Sequence, residues 1–147
     1  MKKKQTGKMY LKQIRQEQIE LRALVERSKA LRWSLLPSAI TYDKDQVQTS
    51  PSDIFSDRMV EACALMDVID KHVDKLEHHR IEAINMINQI EQPQYRTVLT
   101  LYYIGLRDTG HLMRWDDVAR DMCYGVENVK KLHGRALQAF NKVFDPE

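Results

Sequence analysis

The sequence predicts an all-α protein in which a long helical hairpin or coiled coil is followed by a small bundle of short helices. Of its 147 residues only five are glycine, while 43% are apolar and 30% are charged, a composition typical of a folded helical protein. Apolar residues recur at helical spacing over two long segments, and shorter helical segments follow. The length suits one domain, or a small domain joined to an elongated segment.

The first long segment, residues 9–36, has the spacing of an amphipathic helix. Its apolar stripe consists of Leu11, Ile14, Leu21, Leu24, Val25, Leu31 and Leu35. This helix should end before Pro37, because the residue preceding a proline is disfavoured in helical geometry. Residues 37–53 are rich in Ser, Thr, Asp and Pro and are predicted to form a linker, with Ser52 or Asp53 as the N-cap of the next helix.

The second long segment, residues 54–90, carries a heptad pattern over about five repeats. Its seam positions alternate in steps of four and three, and all but one are apolar: Phe55, Met59, Ala62, Met66, Ile69, Val73, Leu76, Arg80, Ala83, Ile87 and Ile90. A helix of this length cannot bury such a seam alone. Its partner is either the first helix, folded back as an antiparallel hairpin, or another chain in a homodimer through residues 54–90.

Residues 93–147 are predicted to form a separate domain of short helices, after the helical region 1–92. Pro93 suits the first position of a helix. Another helix should begin at Arg114 or Trp115 and reach Met122, and residues 123–125 form a three-residue turn. The last helix is predicted from Val126 to about residue 143. Its buried side consists of Val129, Leu132, Ala136, Phe140 and Val143.

Two short helices joined by a three-residue turn, the second one basic on its exposed side, have the layout of a helix-turn-helix. The residues expected to pack between these helices are Trp115, Val118, Ala119, Val129 and Leu132. The outer face of the last helix carries Glu127, Asn128, Lys130, Lys131 and Arg135. Such side chains read base edges or hold phosphates in a major groove, so this face is predicted to bind double-stranded DNA. The alternative is an ordinary solvated face.

Gly134 stands among these basic residues, in "NVKKLHGRALQAF". A glycine inside an exposed helix costs about 1 kcal/mol relative to alanine. Either the helix ends at Gly134, or the function of the helix requires a position without a side chain on this face. We favour the second interpretation, in which the missing side chain permits close approach of a phosphate or of another protein.

The string "RTVLTLYYIG", followed by "WDDVARDM", "CYG" and "VENVKKLHGRALQAF", resembles region 4 of the bacterial sigma-70 family. It is more similar still to the ArpU/RinA-like late transcription activators of phages of Gram-positive bacteria. The resemblance covers residues 37–143, and its most specific part is 93–140. The sequence departs from the family pattern in the turn, with Cys123 where glycine is usual and Gly125 where a Ser or Thr cap is usual.

The resemblance implies a phage-type, sequence-specific DNA-binding transcriptional regulator. Such a protein binds promoter DNA and activates late genes through host RNA polymerase in the bacterial cytoplasm. Transferred residue by residue, the resemblance implies that Glu127 and Lys131 contact bases. The resemblance also implies that Lys130 and Arg135 contact phosphates or a polymerase surface.

Two other functions fit the same pattern. One is a helical adaptor that binds RNA polymerase or a sigma factor without DNA readout, and the other is a small terminase-like subunit for DNA packaging. The distribution of charge along the chain is relevant to the choice between these functions. Residues 1–36 have ten positive and three negative side chains, and residues 54–92 have four positive and eight negative side chains. Residues 93–147 have eight positive and seven negative side chains. The basic start, Lys2, Lys3, Lys4 and Lys8, is either a flexible arm that attracts phosphates or a solubilising tail.

The sequence does not predict an enzyme, a cofactor or a metal site. It contains no Gly-rich phosphate loop, and no Ser-His-Asp set or paired-carboxylate cleft can be assembled from it. His72, His78 and His79 lack the spacing of a zinc site. Two distant cysteines, Cys63 and Cys123, indicate a reducing cytoplasm without disulfides, and no apolar run is long enough to cross a membrane.

Overall fold

The computed structural model describes residues 5–36 and 51–146, and of residues 51 and 52 the backbone only. Within these ranges it contains five α-helices, one π-helical segment and an isolated β-bridge. In chain order they are α1 Gly7–Ser34, α2 Pro51–Ile87, α3 Pro93–Leu99, the π segment Thr100–Ile104, the bridge between Leu106 and Leu112, α4 Trp115–Met122 and α5 Val126–Phe144. The prediction of an all-α fold, with long helices followed by smaller ones, is confirmed.

The ends of the long helices differ from the prediction by two or three residues. Helix α1 begins and ends two residues earlier than predicted, so that Lys8 lies inside it and not in a flexible arm. Helix α2 already begins at Pro51, so residues 51–53 are not linker and the predicted cap at Ser52 or Asp53 is wrong. A proline is tolerated in the first helical turn because its missing N–H has no partner there. Residues 2–4 and the rest of the linker, 37–50, lie outside the described residues.

The contacts group the chain into two compact units, one formed by Met1–Ile19 with Leu76–Glu147 and the other by Glu20–Lys75. In the first unit α1 and α2 run antiparallel, because residues later in α1 contact residues earlier in α2. The Tyr10 hydroxyl donates to a carboxylate oxygen of Glu82 at 3.0 Å. Further along α1, Glu17 Oε2 lies 2.8 Å from Nδ1 of His79.

The same antiparallel order holds inside the second unit. Arg27 forms an ion pair with Glu61 at 3.1 Å, and Arg58 donates to the carbonyl oxygen of Ser34 at 3.2 Å. In each unit the first helix, which is one of the two predicted partners, packs against the second helix.

In the second unit, the predicted heptad seam does not coincide with the buried side of α2. Leu65, which is outside the seam, is buried. The seam residues that remain more than one-third exposed are Phe55, Met59, Met66 and Val73. A strict seven-residue repeat drifts around a straight helix of 3.6 residues per turn. One partner helix therefore cannot cover all seam positions.

The core of the first unit is formed by the N-terminal part of α1, the C-terminal part of α2 and the short helices. Its fully buried large side chains are Leu11, Ile14, Leu76, Ile87, Val98, Leu99, Tyr103, Val118, Val129 and Phe140. Arg80, the polar member of the predicted seam, donates to the carbonyl oxygen of Ile104 at 3.1 Å. It thereby gives a partner to a carbonyl at the end of the π segment.

No helix among residues 5–36 and 51–146 combines the length and the apolar content needed to cross a bilayer.

Candidate nucleic-acid interface

The first turn of α4 is fixed by an acidic side chain. The N–H of Arg114 donates to Oδ2 of Asp117 at 2.9 Å, which is the reciprocal half of a capping box. The same carboxylate lies 3.7 Å from Nε of Arg107 and 3.8 Å from Nη1 of Arg120. Asp117 therefore links the loop before α4 to the helix itself, and the predicted helix from Trp115 to Met122 is confirmed.

The turn after α4 is a Schellman motif, the common way for a helix to end in the left-handed conformation. Cys123 has φ 59° and ψ 37°, and the N–H of Tyr124 donates to the carbonyl of Ala119 at 3.0 Å. The left-handed conformation costs a residue other than glycine roughly 1–2 kcal/mol. Gly125 is then extended, and its carbonyl accepts the N–H of Val129 at 3.0 Å in the first turn of α5. The turn between α4 and α5 thus forms with Cys123, a residue other than glycine, in the left-handed conformation.

The side chains predicted to lie between α4 and α5 are buried to different degrees. Val118, Ala119 and Val129 are buried, whereas Trp115 and Leu132 are partly exposed. On α5 Leu137 is also buried, although it is outside the set of residues predicted from the sequence.

An aromatic cluster joins α5 to the π segment and to α4. The rings of Tyr102 and Trp115 are stacked at 3.9 Å between centroids and 9° between planes. The ring of His133 lies 4.8 Å from Trp115 and 5.5 Å from Tyr103, and its Nε2 is 2.8 Å from the Tyr103 hydroxyl. The sequence did not indicate a role for His133, because no local spacing pairs residues 30 positions apart.

Arg15 of α1 covers this aromatic cluster. Its guanidinium carbon lies 4.0 Å from the centroid of Tyr102, a cation–π contact. The same group donates to the carbonyl oxygens of Tyr102 and Met113. Arg15 therefore attaches α1 to the segment that immediately precedes α4.

His133 is held neutral at ordinary pH. Burial, which is the largest cause, and the positive charges of Lys8, Arg15 and Lys12 together lower its pKa from 6.5 to about 4. Burial also raises the pKa of Tyr103 above its usual value, so the phenol keeps its proton. The Tyr103 hydroxyl can therefore donate its hydrogen bond to the neutral Nε2 atom.

The five predicted DNA-binding residues of α5 are all exposed: Glu127, Asn128, Lys130, Lys131 and Arg135. Asn128, Lys131 and Arg135 are spaced by three and four, so they share one side of the helix. This side is roughly opposite the buried Val129 and Phe140. Lys130 lies on another edge, where its Nζ is 3.8 Å from a carboxylate oxygen of Glu127.

Gly134 lies inside α5, which continues to Phe144, so the helix does not end at the glycine. A Cβ atom built on Gly134 would meet nothing within 4 Å. Among the described residues, therefore, no neighbour requires a glycine at this position. The bare surface faces outward.

A groove of about 400 Å³ lies beside Arg135, between α5 and the segment that connects α2 to α3. Lys142 and Gln138 line it on α5, and Glu91 and Tyr95 line the opposite side. Arg135 thus borders both the groove and the outer face of the helix.

Two histidines of α2, His78 and His79, contact acidic side chains. His78 Nε2 lies 3.1 Å from a carboxylate oxygen of Glu82, and His79 contacts Glu17. In the part of the chain that the structure describes, no three His, Cys, Asp or Glu side chains are grouped as metal ligands.

No family model, no curated protein and no solved structure matches the chain.

Proposed function

We propose that the protein is a phage-type, sequence-specific DNA-binding transcriptional regulator in which α4, the three-residue turn and α5 act as a helix-turn-helix resembling region 4 of sigma-70. The observation that carries the proposal is the exposed side of α5 with Asn128, Lys131 and Arg135, opposite the core that α5 shares with α4. A helix presented in this way fits the major groove of double-stranded DNA.

In this proposal the residues of α5 have different roles. Glu127 and Lys131 contact base edges, and Asn128 has the amide chemistry that reads adenine. Lys130 and Arg135 contact phosphates or a neighbouring polymerase surface. Bound at a promoter, the protein activates late genes through host RNA polymerase, in the cytoplasm of the bacterial host. The proposal includes no enzymatic activity.

A second copy of the chain strengthens binding in this proposal. Residues 93–147 have eight positive and seven negative side chains, so one copy gains little from general attraction to phosphates. Two linked copies on two half-sites gain avidity without any new kind of contact. The exposed seam residues Phe55, Met59, Met66 and Val73 support a homodimer through residues 54–90.

The decisive experiment measures binding to DNA fragments from the genome that encodes the protein, at moderate salt. It compares the wild type with the double variant Lys131→Ala, Arg135→Ala, both exposed positions where alanine favours the helix. Tight binding of one upstream fragment by the wild type, lost in the double variant, is the expected result. Equally weak binding of every fragment by both proteins would contradict the proposal.

A helical adaptor that binds RNA polymerase or a sigma factor without DNA readout is the second candidate. The groove beside Arg135 favours it, since Glu91 and Lys142 offer both charges and Tyr95 offers an aromatic surface to a partner. Capture of purified polymerase by the wild type, weakened by Lys142→Glu and combined with an absence of DNA preference, would favour the adaptor.

A further inference from the structure

The first turns of α1 lie directly against the C-terminal half of α5. A Cβ atom built on Gly7 would come within 2.6 Å of Oδ1 of Asn141 and 2.7 Å of Cδ1 of Phe140. One turn later the ring of Tyr10 is 5.4 Å from the ring of Phe144. The glycine is therefore what permits this close approach of the two helices.

The contact with Asn141 fixes the side of α5 on which α1 lies. Residues spaced by four or seven share one side of a helix, so Asn141, Gly134 and Lys130 form a row. Helix α1 therefore begins beside the edge of α5 that carries Lys130 and the bare surface of Gly134, and not beside the groove at Arg135.

The same turns of α1 carry two lysines. Lys8 and Lys12 are exposed and four residues apart, so both project from one side of α1. Their positive charges are near enough to α5 to contribute to the lowered pKa of His133. Lys130 has an acidic partner in Glu127, but among the described residues no ion pair involves Lys8 or Lys12.

We propose that Lys8 and Lys12 form a second phosphate-binding element, which contacts the DNA backbone on the side of α5 that carries Lys130 and Gly134. This inference rests on the proposed function, because it assumes that α5 enters a major groove. The phosphate backbone of the DNA strand that borders the major groove then passes over Gly134, where no side chain obstructs it. It reaches the ammonium groups of Lys8 and Lys12. The pair fixes the position of the protein on DNA and carries no sequence information.

The salt dependence of binding tests the inference directly. Each lysine–phosphate contact contributes about 0.9 to the slope of log affinity against log salt concentration. We expect Lys8→Gln with Lys12→Gln to reduce that slope by about 1.8, measured by fluorescence anisotropy on the genomic fragment that binds best. The ratio of specific to non-specific affinity should change little.

The matched control is Lys71→Gln with Lys75→Gln, which removes the same charge from two exposed lysines four residues apart on α2. Circular dichroism verifies that all variants keep their helices, as expected for glutamine at exposed helical positions. An unchanged slope in the α1 variant, or an equal reduction in the control, would overturn the inference and leave the proposed function standing. Absence of DNA binding by the wild type would overturn both.

Discussion

Nε2 of His133 lies 2.8 Å from the hydroxyl oxygen of Tyr103, and this hydrogen bond attaches the middle of α5 to the π segment. His133 belongs to the helix whose outer face carries the proposed DNA contacts, while Tyr103 is 2% exposed in the core. Correct placement of the outer face therefore depends on a titratable side chain.

Stability should fall as the pH is lowered through the titration range of His133. Its pKa is about 4 in the folded protein and 6.5 in the unfolded chain, so between these values the unfolded chain binds more protons. The contribution of His133 is therefore present above pH 6.5 and is lost toward pH 4. We expect His133→Gln to reduce the decrease in Tm between pH 7 and pH 4.5.

The control for this experiment is Gln138→Asn, at an exposed position of the same helix, which removes no titratable group. That variant should keep the pH dependence of the wild type. An identical decrease in Tm for wild type and His133→Gln would contradict the assignment.

Gly7→Ala should destabilise the first unit by about 1–3 kcal/mol, because the added methyl group would overlap Asn141 and Phe140. Gly134→Ala is the matched control, since its methyl group would meet nothing within 4 Å. That change should stabilise the protein by about 1 kcal/mol through helix propensity alone. Urea unfolding measures both changes, and equal effects of the two substitutions would show that α1 does not pack on α5 as described.

Arg15→Lys should destabilise the protein although it keeps the positive charge. Lysine lacks the planar fork with which Arg15 reaches the carbonyls of Tyr102 and Met113 while it covers the ring of Tyr102. Hydrogen bonds from charged groups contribute roughly 1.5–3 kcal/mol, and we expect a loss of that order in chemical denaturation. Arg27→Lys, on the same helix, serves as control, because the ion pair of Arg27 with Glu61 is exposed and contributes little. An effect as large there would count against a specific role for Arg15.

Features with local signals could be predicted from the sequence. Pro93 indicates the start of α3, and Asp116 and Asp117 indicate the first turn of α4, because proline and acidic residues favour those positions through the backbone alone. The turn at residues 123–125 likewise follows from its neighbours in the chain. These signals depend on interactions within a few residues.

Contacts between distant parts of the chain could not be predicted in this way. Arg15 and Tyr102 are 87 positions apart, and nothing near either residue indicates the other. The side of α2 that packs on α1 was also missed, because a heptad pattern indicates apolar positions without deciding which of them a single partner covers. Leu65 is buried whereas its neighbour Met66 is 45% exposed.

Met66→Asp should weaken self-association if the exposed seam residues hold a homodimer. Burial of a carboxylate in an apolar interface is costly, whereas Met66 is already exposed in the single chain, so the fold should survive. Sedimentation velocity over a range of concentrations measures the effect. Val60→Asp is the control, since Val60 is 68% exposed and lies outside the seam. A wild type that stays monomeric at all concentrations would exclude the homodimer.

Gly134→Glu should weaken DNA binding more than Gly134→Gln does. Both side chains add nearly the same bulk to an exposed position with open space around it, but only glutamate repels a phosphate that passes over this surface. We expect affinity for the best genomic fragment to fall about tenfold further for glutamate than for glutamine, which corresponds to about 1.4 kcal/mol. The difference should shrink as salt is raised, because screening reduces the repulsion. Equal affinities of the two variants would mean that no phosphate approaches Gly134, and wild-type affinity in both would show that the glycine is merely tolerated in α5.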